Sequence, residues 1–228
     1  MSEATSSDTT LSGPRQEPKS GAPAKELVIM LHGLGADGQD LISLAPLFAN
    51  AMPDAAFVAP DAPFPCDMAP YGRQWFSLQE REKDLMLEGM RTVSPVLEQF
   101  IADELKRYNL SADRLVLMGF SQGGMMTLHL GTRLKDRVAG LISYSGMLIG
   151  PGEMAREKVN TPPVLVIHGA EDNVVPVQAL PAAVEALESE GFTVYQQVID
   201  GLGHGIDENG ASMGIGFCME VLGYAEKA

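Results

Sequence analysis

Cysteine is scarce in this chain. Only Cys66 and Cys218 occur among 228 residues, with no metal-type spacing between them or to a histidine. A disulfide-dense scaffold is thereby excluded, no metal is expected, and a reducing, cytoplasmic setting is the simpler expectation. Basic residues are also few: 16 Lys and Arg against 30 Asp and Glu, a formal net charge of −14. Such a surface repels polyphosphates and anionic headgroups, so nucleic acid is not an expected partner, and the charge reads as solubility. No segment approaches the ~18 consecutive apolar residues of a membrane helix, and no apolar core of a signal peptide stands near Met1. Stable membrane insertion is not expected. No internal repeat is visible.

What is present suffices for one folded domain. Hydrophobic residues make up 45% of the chain, enough for a full core. Residues 1–24 are rich in Ser, Thr, Gly and Pro, with Leu11 their one large aliphatic residue after Met1; they read as a disordered tail before a domain over 25–228. From there strand and helix patterns alternate. Near-continuous apolar runs over 26–31, 114–118, 139–144 and 164–167 read as strands covered on both faces, with shorter strands over 56–59 and 193–199. Helical stripes cover 41–50, a stretch opened by Ser94-Pro95 as cap and first residue, the segment after Ser121, 177–187 and 212–224. Strands separated by helices imply a mostly parallel sheet with helices on both faces.

The most informative stretch is Leu115 to Gly124, a strand-like run entering Gly119-Phe120-Ser121-Gln122-Gly123 and then a helix. Gly-x-Ser-x-Gly alone is permissive; between a strand and a helix it marks a nucleophile held on a sharp turn. Gln122 opens the helix, so its N–H faces any oxyanion beside Ser121. A second backbone donor is needed from a loop after an early strand, and His32-Gly33-Leu34-Gly35 offers Leu34. The spacing Gly33-x-Gly35-x-x-Gly38 also fits a phosphate-cradling loop, but leaves Ser121 unexplained.

Serine needs a base, and the base an orienting carboxylate. This strand–elbow–helix pattern resembles that of the α/β-hydrolases, in which both follow the serine in chain order, acid first. Glu171 and Asp172 end the strand at 164–167; Asp172 lies farther into the turn, before Val174-Val175-Pro176, and is preferred. Of four histidines, His129 lies inside the helix after the elbow, His168 at a strand end, and His32 upstream of the serine. His204, in Gly203-His204-Gly205 after the last strand, is the expected base. One segment breaks the alternation: 61–84, carrying Phe64, Met68, Tyr71, Trp75 and Phe76. It reads as a cover over the site, with Trp75, Phe76, Met68 and, from another loop, Met147 walling an acyl groove. The apolar residues around Trp75 offer either that wall or a homodimer contact; core packing is the competing reading.

Together, His32-Gly33-Leu34-Gly35, Arg73-Gln74-Trp75-Phe76, Gly119-Phe120-Ser121-Gln122-Gly123-Gly124, His168-Gly169-x-x-Asp172-x-x-Val175-Pro176 and Gly203-His204 resemble the phospholipase/carboxylesterase family, which includes the acyl-protein thioesterases. The likeness runs from about Leu27 to Tyr224. It implies a small α/β-hydrolase fold without a separate lid domain and a Ser121–Asp172–His204 triad. It further implies Leu34 and Gln122 as oxyanion donors, no cofactor, and a small-molecule ester as substrate. Two features depart from the thioesterases: Ser77 follows Trp75-Phe76 where aspartate is frequent, and the loop before His204 is short and glycine-rich, as in bacterial carboxylesterases. The expected activity is hydrolysis of short- to medium-chain acyl esters, with thioester or lysophospholipid hydrolysis, or a non-catalytic binding protein, as alternatives.

Overall fold

The computed structural model describes residues 10–80 and 82–224. In chain order the elements are β1 (Arg15–Gln16), β2 (Glu26–Leu31), α1 (Gly38–Ile42), α2 (Ala45–Ala51), β3 (Ala55–Val58), β4 (Phe64–Pro65) and β5 (Arg73–Gln74). There follow α3 (Lys83–Tyr108), β6 (Leu115–Phe120), α4 (Gln122–Gly131), β7 (Gly140–Tyr144), α5 (Pro151–Glu157), β8 (Val164–Gly169), α6 (Ala179–Ser189), β9 (Val194–Ile199) and α7 (Glu208–Val221).

Seven strands form one sheet in the order β1-β3-β2-β6-β7-β8-β9. Every pairing is parallel except β1 with β3. Alternation along β2 divides the core between the two faces. Leu27, Ile29 and Leu31 pack with the helical stripe Met86, Met90, Val93 and Leu97 of α3. Val28 and Met30 pack with Phe48 of α2 and Phe217 of α7. That two-sided cover is why the strands are apolar at every position, and it gives the doubly wound architecture the sequence implies.

Strand order reverses between β2 and β6: the chain leaves β2 for β3 on one side and later returns to β6 on the other. Such a switch point leaves a crevice at the carboxyl ends of the two strands. The loop with Leu34 follows β2 and Ser121 follows β6, with Leu31 in register with Gly119. The topology alone therefore brings these two segments together.

Three expectations are corrected. Residues 10–24 are no loose tail: Leu11 is buried, Arg15 and Gln16 pair antiparallel with Val58 and Phe57, and Arg15 forms an ion pair with Glu104 of α3. A short edge strand docks through its backbone and needs no apolar side chains, so composition hid it; residues 1–9 lie outside the described part. Second, α3 begins at Lys83, eleven residues before Ser94-Pro95. The Ser94 hydroxyl donates to the Met90 carbonyl (2.8 Å) instead of capping a helix start, and Pro95 is carried inside. Third, the single helix read over 41–50 is two. Pro46 lacks the N–H that would continue α1, so the chain restarts as α2 with proline in its first turn.

Candidate active site

The elbow is built by close approach. Ser121 sits at φ 54° and ψ −117°, a backbone region in which a side-chain-bearing residue costs about 1–3 kcal/mol. A Cβ on Gly123 would overlap the Leu31 carbonyl, and one on Gly119 the backbone of Gly123. Both glycines are thus required for α4 to press against β2 while the serine projects.

Ser121, His204 and Asp172 meet in line. His204 Nε2 lies 2.9 Å from Ser121 Oγ, and His204 Nδ1 lies 2.7 Å from Asp172 Oδ2. Asp172 Oδ1 accepts the backbone N–H groups of Val174 and Val175, each at 2.9 Å. A carboxylate only accepts, so His204 Nδ1 carries the proton, which leaves Nε2 free to accept the serine hydroxyl. Burial pulls the Asp172 carboxyl upward. The bonds from His204, Val175 and Val174 outweigh that pull and hold it below its ordinary value, hence ionised at neutral pH. Neighbouring Glu171 is exposed. Phe120 packs against the His204 ring with centroids 4.8 Å apart.

The other histidines are structural. His32 is buried; its Nδ1–H donates to the Gly33 carbonyl (2.7 Å), and Nε2 accepts the Ala62 N–H (3.0 Å). His168 Nε2–H donates to the Val175 carbonyl (2.9 Å), bracing the loop that follows Asp172. His129 is buried in α4. Burial, with Arg133 adding to it, pushes its pKa down to about 3, and burial lowers His32 as well. Unfolded histidine titrates near ~6.5. Below that value the unfolded chain binds more protons than the folded one, so stability is complete above about pH 6.5 and declines as pH falls. His129→Gln is expected to flatten the decline by up to about 1.4 kcal/mol per pH unit. Urea denaturation at several pH values between about 7 and 4 reads this; an unchanged slope refutes it.

A cleft of about 410 Å³ opens beside Ser121. Gly33, Leu34, Leu78, Met86, Met125, Met147, Val174, Val175 and Pro176 line it, with Ser121, Phe120, His204 and Lys83. The Leu34 N–H has no acceptor among the described residues. The Gln122 N–H, at the start of α4, has no helical acceptor. Of the residues expected to wall an acyl groove, Met147 lines this cleft. Trp75, Phe76 and Met68 do not: Trp75 is 0% and Phe76 1% exposed within the core, and Met68, 51% exposed, lies outside the cleft. Sequence reasoning missed Met86 and Met125, although both belong to helical stripes, and used Val174-Val175-Pro176 only to stiffen the turn.

Trp75 has another task. The Gln122 side chain accepts the Trp75 N–H and donates to the Phe76 carbonyl, both at 2.8 Å. The Trp75 indole N–H donates to the His32 carbonyl (2.9 Å). The elbow and the Leu34 loop are thereby tied through one buried residue. Trp75→Ala is expected to destabilise the protein by about 3–5 kcal/mol, lowering Tm by roughly 10 °C. Turnover should fall equally for short and long esters. A KM rise confined to long esters, with Tm unchanged, would return Trp75 to the acyl wall.

The chain is similar to proteins of known family. A family model described as phospholipase/carboxylesterase matches residues 17–215. Esterase YpfH of Escherichia coli is 30% identical over 81% of this chain and 78% of its own length. Acyl-protein thioesterase 1 of Gibberella zeae is 27% identical over 78% and 82%, respectively. The crystal structure of esterase PE8 superposes with a TM-score of 0.89 at 40% identity, covering 93% of this chain and all of that one. With residues 17–215 matched by the family model and 81% of its length aligned to a relative 30% identical, the chain belongs to the phospholipase/carboxylesterase family.

Proposed function

We propose that this protein hydrolyses carboxylic esters at Ser121, with His204 as general base and Asp172 as its orienting carboxylate. The observation that carries this reading is the Ser121–His204–Asp172 relay at 2.9 and 2.7 Å. Ser121 Oγ attacks the ester carbonyl as its proton passes to His204 Nε2. The tetrahedral oxyanion takes the Leu34 and Gln122 N–H groups. Asp172 stabilises the imidazolium, which then protonates the departing alcohol. Water, activated by the same imidazole, attacks the acyl-serine and regenerates the hydroxyl. No residue in this cycle requires a cofactor.

The cleft supports short to medium acyl chains. Its methionines adapt to varied chain shapes, and each buried methylene adds about 0.8 kcal/mol at most. Thioesters fit the same relay, a reading favoured by the similarity to a protein named acyl-protein thioesterase 1. Both cysteines are free, which supports a cytoplasmic setting. Among the described residues no helix is long and apolar enough to cross a membrane.

A fluorophosphonate is expected to label Ser121 stoichiometrically, and kcat/KM for p-nitrophenyl esters is expected to peak at short or medium chains and fall beyond them. Failure to label, or hydrolysis rising without limit toward long chains at an oil–water interface, would refute the activity or the chain-length reading, respectively.

A further inference from the structure

His204 separates two concavities. The first is the apolar cleft with Ser121 and the Leu34 loop. The second, of about 210 Å³, is lined by Asp40, Leu41, Ser43 and Leu44 and by Gly205 and Ile206; among the described residues only Phe120 and His204 border both. The imidazole that takes the serine proton must later hand it to the leaving group, so that group lies against His204. With the acyl chain in the apolar cleft, the alcohol half has the second concavity before it.

The two concavities carry opposite charges. Among the described residues, Lys83 is the cation lining the first and no carboxylate lines it; Asp40 is the anion lining the second and no lysine or arginine does. Asp40 donates its backbone N–H to Asp37 and accepts the Ser43 hydroxyl at its carbonyl, while its carboxylate has no hydrogen bond or ion pair among the described residues. Asp37, not Asp40, supplies the side-chain cap of α1. Phe120 adds an aromatic wall, whose face attracts a cation. A net charge of −14 enriches cations around the molecule further.

We infer that the second concavity is the leaving-group subsite, and that Asp40 makes it select esters of cationic alcohols, such as amino or quaternary ammonium alcohols, over neutral ones of the same shape. The inference rests on the hydrolase reading of Ser121 and His204. Acetylcholine and its neutral isostere, with carbon in place of the ammonium nitrogen, isolate the charge. The cationic ester is expected to show a kcat/KM higher by roughly two- to fivefold at low salt, the range of an exposed ion pair. The preference should shrink as salt screens it and vanish in Asp40→Asn. A matched pair of ethyl esters, with the same cationic or neutral group ending the acyl chain, should show no preference for the cation. Equal kcat/KM for the alcohol pair, a preference surviving Asp40→Asn, or a cation preference in the acyl pair overturns this inference alone. Absence of turnover on every ester overturns the hydrolase reading beneath it.

Discussion

Replacing Ser121 by alanine is expected to lower kcat by about a million-fold, the size of effect seen when a relay serine is removed. The melting temperature should stay within a few degrees of the parent. Alanine retains the Cβ, so the elbow keeps its strained turn and the packing of α4 on β2 is undisturbed. The lost hydroxyl contributes no structural bond beyond the one to His204 Nε2. Activity left in the variant would come from substrate binding and the two backbone donors, which still polarise the carbonyl toward attack by water. Initial rates on p-nitrophenyl esters, beside a thermal melt, provide the test. A residual rate near that of the parent would remove Ser121 from the chemistry. Glu171→Gln is the internal control: the side chain is exposed, so its effect should be within about twofold, as for most exposed substitutions. Were that variant the inactive one, Glu171 would be the relay acid.

The parts of this molecule that were legible in the sequence have local physical causes. β2, β6 and β8 are apolar at nearly every position because helices cover both faces of the sheet. The elbow was legible because two glycines and a serine between strand and helix meet a steric need that few other residues satisfy. Asp172 and His204 followed from chain order, and lie where that order put them, although 32 residues separate them. What escaped depends on partners distant in sequence. β1 has no hydrophobic signature because the edge of β3 supplies its hydrogen-bond partners. The start of α3 was obscured by a good local cap at Ser94, whereas the stripe of Met86, Met90 and Val93 extends the helix upstream. Trp75 was misplaced for the same reason. An aromatic residue in a long loop reads as a cover, and its bonds to Gln122 at the start of α4 and to His32 just after β2 draw it into the core.

Asp172→Asn is expected to reduce kcat by about ten-thousand-fold through a single misplaced proton. The direction of the amide is decided by the backbone. The N–H groups of Val174 and Val175 both point at Oδ1, so the asparagine carbonyl oxygen must stay there, and its NH2 must occupy the position of Oδ2. That NH2 then faces His204 Nδ1, which becomes an acceptor. The imidazole proton moves to Nε2, where it meets Ser121 Oγ and can no longer receive the serine proton. Flipping the amide gives no relief, because its NH2 would confront two N–H donors. His168 Nε2 resists the change as well: it lies 3.3 Å from Oδ2 and donates to the Val175 carbonyl, so an NH2 at that position sets donor against donor. Loss of the carboxylate also removes the charge that stabilises the imidazolium in the transition state. The relay should therefore behave as one unit. Asp172→Asn combined with Ser121→Ala is expected to be no slower than Ser121→Ala alone, because the base has nothing left to deprotonate. Steady-state kcat for the two single variants and the double variant tests the argument. A single-variant loss of less than about tenfold, or a double variant slower by the product of both losses, would show that Asp172 does not act through His204 on Ser121.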